Sequence, residues 1–140
     1  MTGSPGPKPF SWPLRVYYRD TDAGGVVFHA NYFSFMECSR TELLQSQGFD
    51  LGELARRDRV LFVVHSAQIA YHKPALLNDL LTVTAEVKHV GRARLEFDQA
   101  VMRGEEVLAS ARLSLACVSA KSYRPVAVPE AIRKKLEGLR

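Results

Sequence analysis

The chain is short of cysteine, of long apolar runs and of concentrated charge, and each shortage excludes something. Its two cysteines, Cys38 and Cys117, lie far apart, form no metal-type pair and carry no local signature of a catalytic thiol. Both read as buried free thiols. No apolar run approaches the roughly 20 residues that span a bilayer, so no transmembrane segment is expected. The opening MTGSPGPKPFSWP lacks the apolar core of about 7–15 residues that marks a secretory signal. It reads as a Pro/Gly lead-in over residues 1–12, with the cytoplasm as the expected location. The net charge of +4 and pI near 9.3 come from scattered residues, apart from Arg56–Arg57 and the run Arg133–Lys135. No nucleic-acid-binding module accompanies them, so nucleic acid is not an expected partner. A mildly basic surface suits a smaller anionic ligand.

What is present fits one soluble domain. The 46% apolar and 24% charged fractions are ordinary for one, and 140 residues suffice for a core. Residues 14–19 alternate as a half-buried strand, with Leu14, Val16 and Tyr18 on one face. Tyr32, Phe35, Met36, Leu43 and Leu44 follow at mostly helical spacing, with Asn31 as the expected N-cap and Gly48 as the C-terminal stop. A shorter helix is expected over residues 50–57. Four strands are then expected: 60–72, 81–88, 94–101 and 107–118. In the last, Val107, Ala109, Ala111, Leu113, Leu115 and Cys117 alternate with Leu108, Ser110, Arg112, Ser114, Ala116 and Val118. Short breaks at Gly91–Arg92 and Arg103–Glu105 suit antiparallel hairpins. The domain is expected over residues 13–122. A tail over 123–140 carries Ile132, Leu136 and Leu139 at i, i+4 and i+7, an amphipathic helix lying on the body. Its basic residues leave peripheral membrane contact open. The chain has no second long helix to cover a parallel sheet. The expected class is therefore α+β, an antiparallel sheet curled around one long central helix.

The chemistry concentrates in YYRDTDAGGVVFHANY, Tyr17–Tyr32. Two carboxylates, a paired-glycine turn and a histidine stand between a strand and a helix start. Acidic side chains, free backbone N–H groups and a helix N-terminus then meet in one small volume. That equips the segment to attack a carbonyl and hold the resulting oxyanion. In an extended chain Asp20 and Asp22 share a face, where one pKa would rise; a turn would separate them. The alternative for either is a turn or cap residue. Read as a calcium loop from Asp20, the segment fails at its fifth position, Gly24, and its twelfth, Asn31. No His/Cys pair has zinc spacing, and no metal is expected.

The stretch YYRDTDAGGVVFHANYFSFMECSRTELL resembles the opening of the hot-dog-fold 4-hydroxybenzoyl-CoA thioesterase-like family. It looks nearest to its YbgC-like branch, the Tol–Pal-associated acyl-CoA thioesterases. A weaker echo is YHKPALLNDLL, Tyr71–Leu81. The resemblance implies a thioesterase that hydrolyses acyl-CoA, or an acyl-carrier-protein thioester, without a cofactor. It implies Asp22 as nucleophile or general base, with His29 and Tyr18 as its companions and oxyanion donors at the helix N-terminus. It implies Gly24 and Gly25 for close ligand approach, and Arg92, Arg94 and Lys73 for the phosphates of CoA. It also implies a homodimer or homotetramer with a shared site. Two alternatives remain at this stage. One is a hydratase-type enzyme on the same fold; the other is a non-catalytic acyl- or protein-binding module.

Overall fold

The structure is a computed structural model that describes residues 9–140. Strand β1 (Phe10–Arg15) leads through a 3-10 turn at Tyr18–Asp20 and a loop into the long helix α1 (Asn31–Ser46). A short helix α2 (Leu51–Glu53) runs on as a wider π turn over Leu54–Asp58. Strands β2 (Val60–Tyr71), β3 (Leu80–Val90), β4 (Arg94–Arg103) and β5 (Glu106–Ser119) follow, and helix α3 (Glu130–Glu137) closes the chain. The sheet has five strands in the order β1-β3-β4-β5-β2, every neighbouring pair antiparallel.

Alternation builds the core face. Leu81, Val83, Ala85 and Val87 of β3 and Leu95, Phe97 and Val101 of β4 are buried, as their spacing predicts. They meet Tyr32, Phe35, Met36, Leu43 and Leu44 of α1. Packing divides into two clusters along the helix. One, around Val16, Val27, Tyr32, Met36 and Ala75, lies beneath the acidic loop. The other, around Leu44, Leu54, Phe97, Ile132 and Leu136, lies under α3. Between them the core is polar. The Ser39 hydroxyl donates to the Val83 carbonyl at 2.8 Å, and the buried Arg40 guanidinium donates to Gln99 Oε1 at 3.0 Å. Gln99 in turn donates to the Met36 and Thr84 carbonyls. Burial lowers the Arg40 pKa from its ordinary value, opposed by the nearby Glu37.

Several expectations need correction. The first strand lies at residues 10–15 rather than 14–19, so it starts inside the expected lead-in; residues 1–8 of that lead-in lie outside the described ones. Tyr18 therefore leaves the strand and stands 81% exposed. Asn31 does not cap α1: Ala30 occupies that position without a side-chain bond. The Asn31 amide instead donates to the Asp20 carbonyl at 2.8 Å. A register shift in the β4–β5 pairing between Val101 and Met102 buries both Leu108 and Ala109 and leaves Val107 exposed. Cys38 is exposed, whereas Cys117 is buried and its thiol is pushed up to about 11 by that burial. Helix α3 ends at Glu137, so Ile132 and Leu136 carry its stripe and are buried in the core, while Leu139 lies beyond the helix and is exposed. The apolar stripe of that helix is thus already covered by the body.

Candidate active site

The segment from Asp20 to Phe28 folds back on itself. The Thr21 and Val27 backbones bridge, the Asp22 N–H donates to the Val26 carbonyl, and the Phe28 N–H donates to the Asp20 carbonyl. The tight end of this hairpin is Asp22–Gly25. Gly25 holds a φ of +81°, which an L side chain rarely adopts. Gly24 does not share that φ; a Cβ there would stand 3.3 Å from Asp22 Oδ1 and would press on that carboxylate.

The turn separates the two carboxylates into different jobs. Asp20 Oδ2 accepts the Tyr17 N–H at 2.8 Å, and its carbonyl is claimed by Phe28 and Asn31. Each of these contacts holds the turn. Asp22 is exposed, and its Oδ1 accepts the Gly24 N–H at 2.8 Å. Its Oδ2 takes no hydrogen bond among the described residues, so one carboxylate oxygen is held in place while the other is free.

The hairpin is anchored to the loop between β2 and β3. Val27 N–H donates to the Ala75 carbonyl at 2.9 Å and Leu77 N–H to the Gly25 carbonyl at 3.1 Å. Ala75 N–H donates to the Tyr32 hydroxyl at 2.9 Å, tying the same loop to α1. A cleft of about 260 Å³ opens beside this junction, lined by Val27, His29, Tyr32, Tyr71, His72, Lys73 and Pro74. A larger groove, about 540 Å³, runs over the outer sheet face among Thr84, Glu86, Asp98 and Arg112. It carries none of the motif residues, so the smaller cleft is the candidate site.

His29 and Lys73 therefore line one cleft; Asp22, Gly24 and Gly25 are not among its lining residues and stand on the hairpin whose Val27 is. Tyr18 does not line the cleft either; it precedes the hairpin with its side chain exposed, and its hydroxyl makes no hydrogen bond among the described residues. Arg92 and Arg94 stand at the β3–β4 hairpin, at the other end of β3 from Leu80. About 30 Å of strand separates them from the cleft end of the sheet. One chain does not bring them to Asp22. The backbone N–H groups of His29 and Ala30 take no partner in the described chain. They are the free donors at the start of α1, and the helix dipole adds positive potential there.

The sequence reading missed two contributors. Tyr71, the last residue of β2, donates its hydroxyl to the His29 carbonyl at 3.0 Å, and its ring lies edge-on to His29 and Tyr32. Its place in the YHKPALLNDLL echo was the available signal. The second is an ion-pair chain. Lys73 pairs with Glu106; Glu106 pairs with Arg103 at 2.8 Å; Arg103 pairs with Asp79 at 2.7 Å. Asp79 Oδ2 also accepts the Leu76 N–H at 2.8 Å, so the chain braces the loop that holds the acidic hairpin. Lys73 first, then Arg103, hold the Glu106 carboxyl below its ordinary range. A depressed carboxyl stabilises the fold above its unfolded value and ceases to as pH falls through its folded one. Glu106→Gln is therefore expected to lower the urea midpoint at neutral pH. The gap from wild type should close as the pH is brought down through the acid range; a gap independent of pH would refute the assignment.

An antiparallel sheet of this order packed on one long helix, entered through an acidic glycine hairpin, is the architecture of a hot-dog protein. The chain belongs to the thioesterase superfamily, whose family model matches residues 24–110, more than half of it. It is 42% identical over 94% of its length to a Haemophilus influenzae protein named acyl-CoA thioesterase YbgC, 96% of which is covered. It is 40% identical over 88% of its length to an Escherichia coli protein named acyl-CoA thioester hydrolase YbgC, 92% of which is covered. The crystal structure of a probable thioesterase from Bartonella henselae superposes with a TM-score of 0.83 at 32% identity, covering 87% of this chain and 100% of that one. A 1,4-dihydroxy-2-naphthoyl-CoA thioesterase from Synechocystis, at 21% identity and a TM-score of 0.85, shares the fold; 94% of this chain and 98% of that one are covered. The protein is thus an enzyme of the thioester-hydrolysing class. No helix among the described residues is long and apolar enough to cross a membrane.

Proposed function

We propose that the protein hydrolyses acyl-CoA to a free acid and CoA, with Asp22 as the catalytic carboxylate. The observation that carries this is the state of Asp22: one oxygen is fixed by Gly24, the other is free, and the hairpin is bonded to the wall of the His29 cleft. As general base, Asp22 takes a proton from water while the hydroxide oxygen bonds to the thioester carbon. As nucleophile, its own oxygen forms that bond and water later cleaves the anhydride. In both routes the carbonyl oxygen becomes an oxyanion, held by the N–H groups of His29 and Ala30, and the C–S bond breaks to release the CoA thiolate. His29 lines the path of the carbonyl, and Lys73, its charge paired with Glu106, forms part of the cleft wall.

The active unit in this reading is a pair of chains. Strand β2 is a 12-residue edge of the sheet, with Val63, Val64 and Tyr71 exposed. A long apolar edge of this kind invites pairing. Antiparallel pairing of two copies sets the Val60 end of one β2 beside the Tyr71 end of the other. Arg92 and Arg94 of the partner subunit then approach the cleft and meet the phosphates of CoA, which the single chain does not achieve. The two unpaired cysteines fit a reducing compartment such as the cytoplasm.

Thiol release from a panel of acyl-CoAs, acetyl to palmitoyl with benzoyl and 4-hydroxybenzoyl, tests the reading. Saturable release with at least one member is the expected result. No release from any of them refutes CoA thioesters as the substrate class.

A further inference from the structure

Tyr71 belongs to no part of the motif that carries Asp22, yet its hydroxyl holds the peptide next to the helix start. The His29 carbonyl accepts it at 3.0 Å and accepts the Tyr32 N–H only at 3.3 Å. The phenol is set from both sides. Its backbone pairs with Ala109 in the sheet, and its ring packs edge-on against Tyr32 at 5.3 Å. Tyr32 is itself buried and hydrogen-bonded to Ala75. The His29 carbonyl and the Ala30 N–H belong to one planar trans peptide and point in opposite directions. Whatever fixes the oxygen therefore fixes the direction of the N–H. Ala30 cannot cap the helix, and the Asn31 amide, bonded to the Asp20 carbonyl, restrains the next residue rather than this peptide, so the Tyr71 hydroxyl is the side-chain group that holds the His29 carbonyl among the described residues.

We propose that Tyr71 is a positioning residue of the reaction: by gripping the His29 carbonyl it aims the free Ala30 N–H at the oxyanion. This rests on the thioesterase reading above. Burial first, and the neighbouring Tyr32 second, raise the pKa of the Tyr71 phenol above its ordinary value, so it keeps its proton and remains the donor. An oxyanion donor acts only where charge develops, so a misdirected one lowers kcat and leaves ground-state binding unchanged.

Tyr71→Phe removes the hydroxyl and keeps the ring. Two measurements on the full chain test it: acyl-CoA kinetics, and amide hydrogen exchange at Asn31, Tyr32 and Phe33, whose N–H groups bond back to residues 28–30. The expected result is a kcat reduced roughly tenfold, KM within about twofold, and faster exchange at those amides with an unchanged thermal midpoint. Unchanged exchange overturns the grip. Faster exchange with wild-type kcat overturns its role in the reaction, and a raised KM alone makes Tyr71 a substrate contact instead. If the wild type released no thiol from any acyl-CoA, the thioesterase reading would fail, and the aiming of an oxyanion donor with it. The exchange data would still decide whether the hydroxyl holds the turn.

Discussion

Asp22→Asn is expected to lower acyl-CoA hydrolysis by about 10²–10⁴-fold, the range for loss of a positioned acid or base, with the thermal midpoint unchanged. Asparagine keeps an oxygen that accepts the Gly24 N–H, so the bond that shapes the turn survives. The side chain is exposed, so no core contact is lost. What disappears is the free oxygen's ability to take a proton or to attack. Asp20→Asn is the matched control. Its carboxylate accepts the Tyr17 N–H and takes no part in the chemistry, so the loss should be a modest one of stability and small in rate. Thiol release and thermal melting of the two variants together check the assignment. An active Asp22→Asn, or an Asp20→Asn variant equally dead but well folded, would move the chemistry to another residue. Single turnover in heavy-oxygen water separates the two routes. A general base delivers solvent oxygen to the acid in the first turnover, whereas water attack on the aspartyl carbon of an anhydride leaves the new oxygen on Asp22.

Most of the fold was legible because its rules are local and repetitive. Period-two alternation in β3 and β4, helical spacing in α1, and the glycine stop at Gly48 each state a burial pattern the structure repeats. The errors fall where a long-range contact overrides the local pattern. Alternation from Leu14 to Tyr18 does continue by residue type. The chain nevertheless leaves the sheet after Arg15, because Val16 N–H and carbonyl bond to Asp79 and Asn78 of the β2–β3 loop. Nothing near Val16 announces that partner. The register shift that exposes Val107 is likewise a property of the β4–β5 pair, not of either strand.

The candidate site was legible in part, and the division has a physical cause. Asp22, Gly25 and His29 lie within one short segment, so their proximity follows from chain connectivity. Asn31 was misread as a cap because its residue type suits capping, whereas the Asp20 carbonyl 11 positions back is the acceptor it finds. Tyr71 and the Arg103–Glu106–Lys73 chain reach the cleft across the sheet, and sequence spacing has no means of showing them. Arg92 and Arg94 are assigned to the phosphates of CoA on charge and family likeness, and the single chain holds them at the far end of β3 from the cleft. Their separation along β3 is the distance that the proposed pairing of two chains would bridge.

That separation makes the β2 edge the place where a single substitution should have the second largest effect. Val64 is 52% exposed at mid-strand, so Val64→Lys removes little from the core of one chain. A lysine on a sheet edge opposes pairing with another edge, by charge and by the desolvation its ammonium would need. The expected result is a shift from dimer to monomer in sedimentation, with the far-ultraviolet circular dichroism and thermal midpoint of the monomer fold retained. Hydrolysis should collapse with it. Loss of a charge-assisted hydrogen bond to phosphate costs about 1.5–3 kcal/mol, so each missing arginine lowers kcat/KM by at least about tenfold. Arg92→Ala separates assembly from contact: it should stay dimeric and lose affinity for acyl-CoA while kcat holds. Mixing completes the test. An Asp22→Asn chain and an Arg92→Ala chain, refolded together, place one intact cleft in the mixed dimer, with Asp22 from one subunit and Arg92 from the other. Such mixtures should regain up to a quarter of wild-type kcat/KM, since about half the dimers are mixed and each has one good site of two. A Val64→Lys monomer that turns over acyl-CoA at the wild-type rate would show instead that one chain holds the complete site, and Arg92 and Arg94 would then have no part in it.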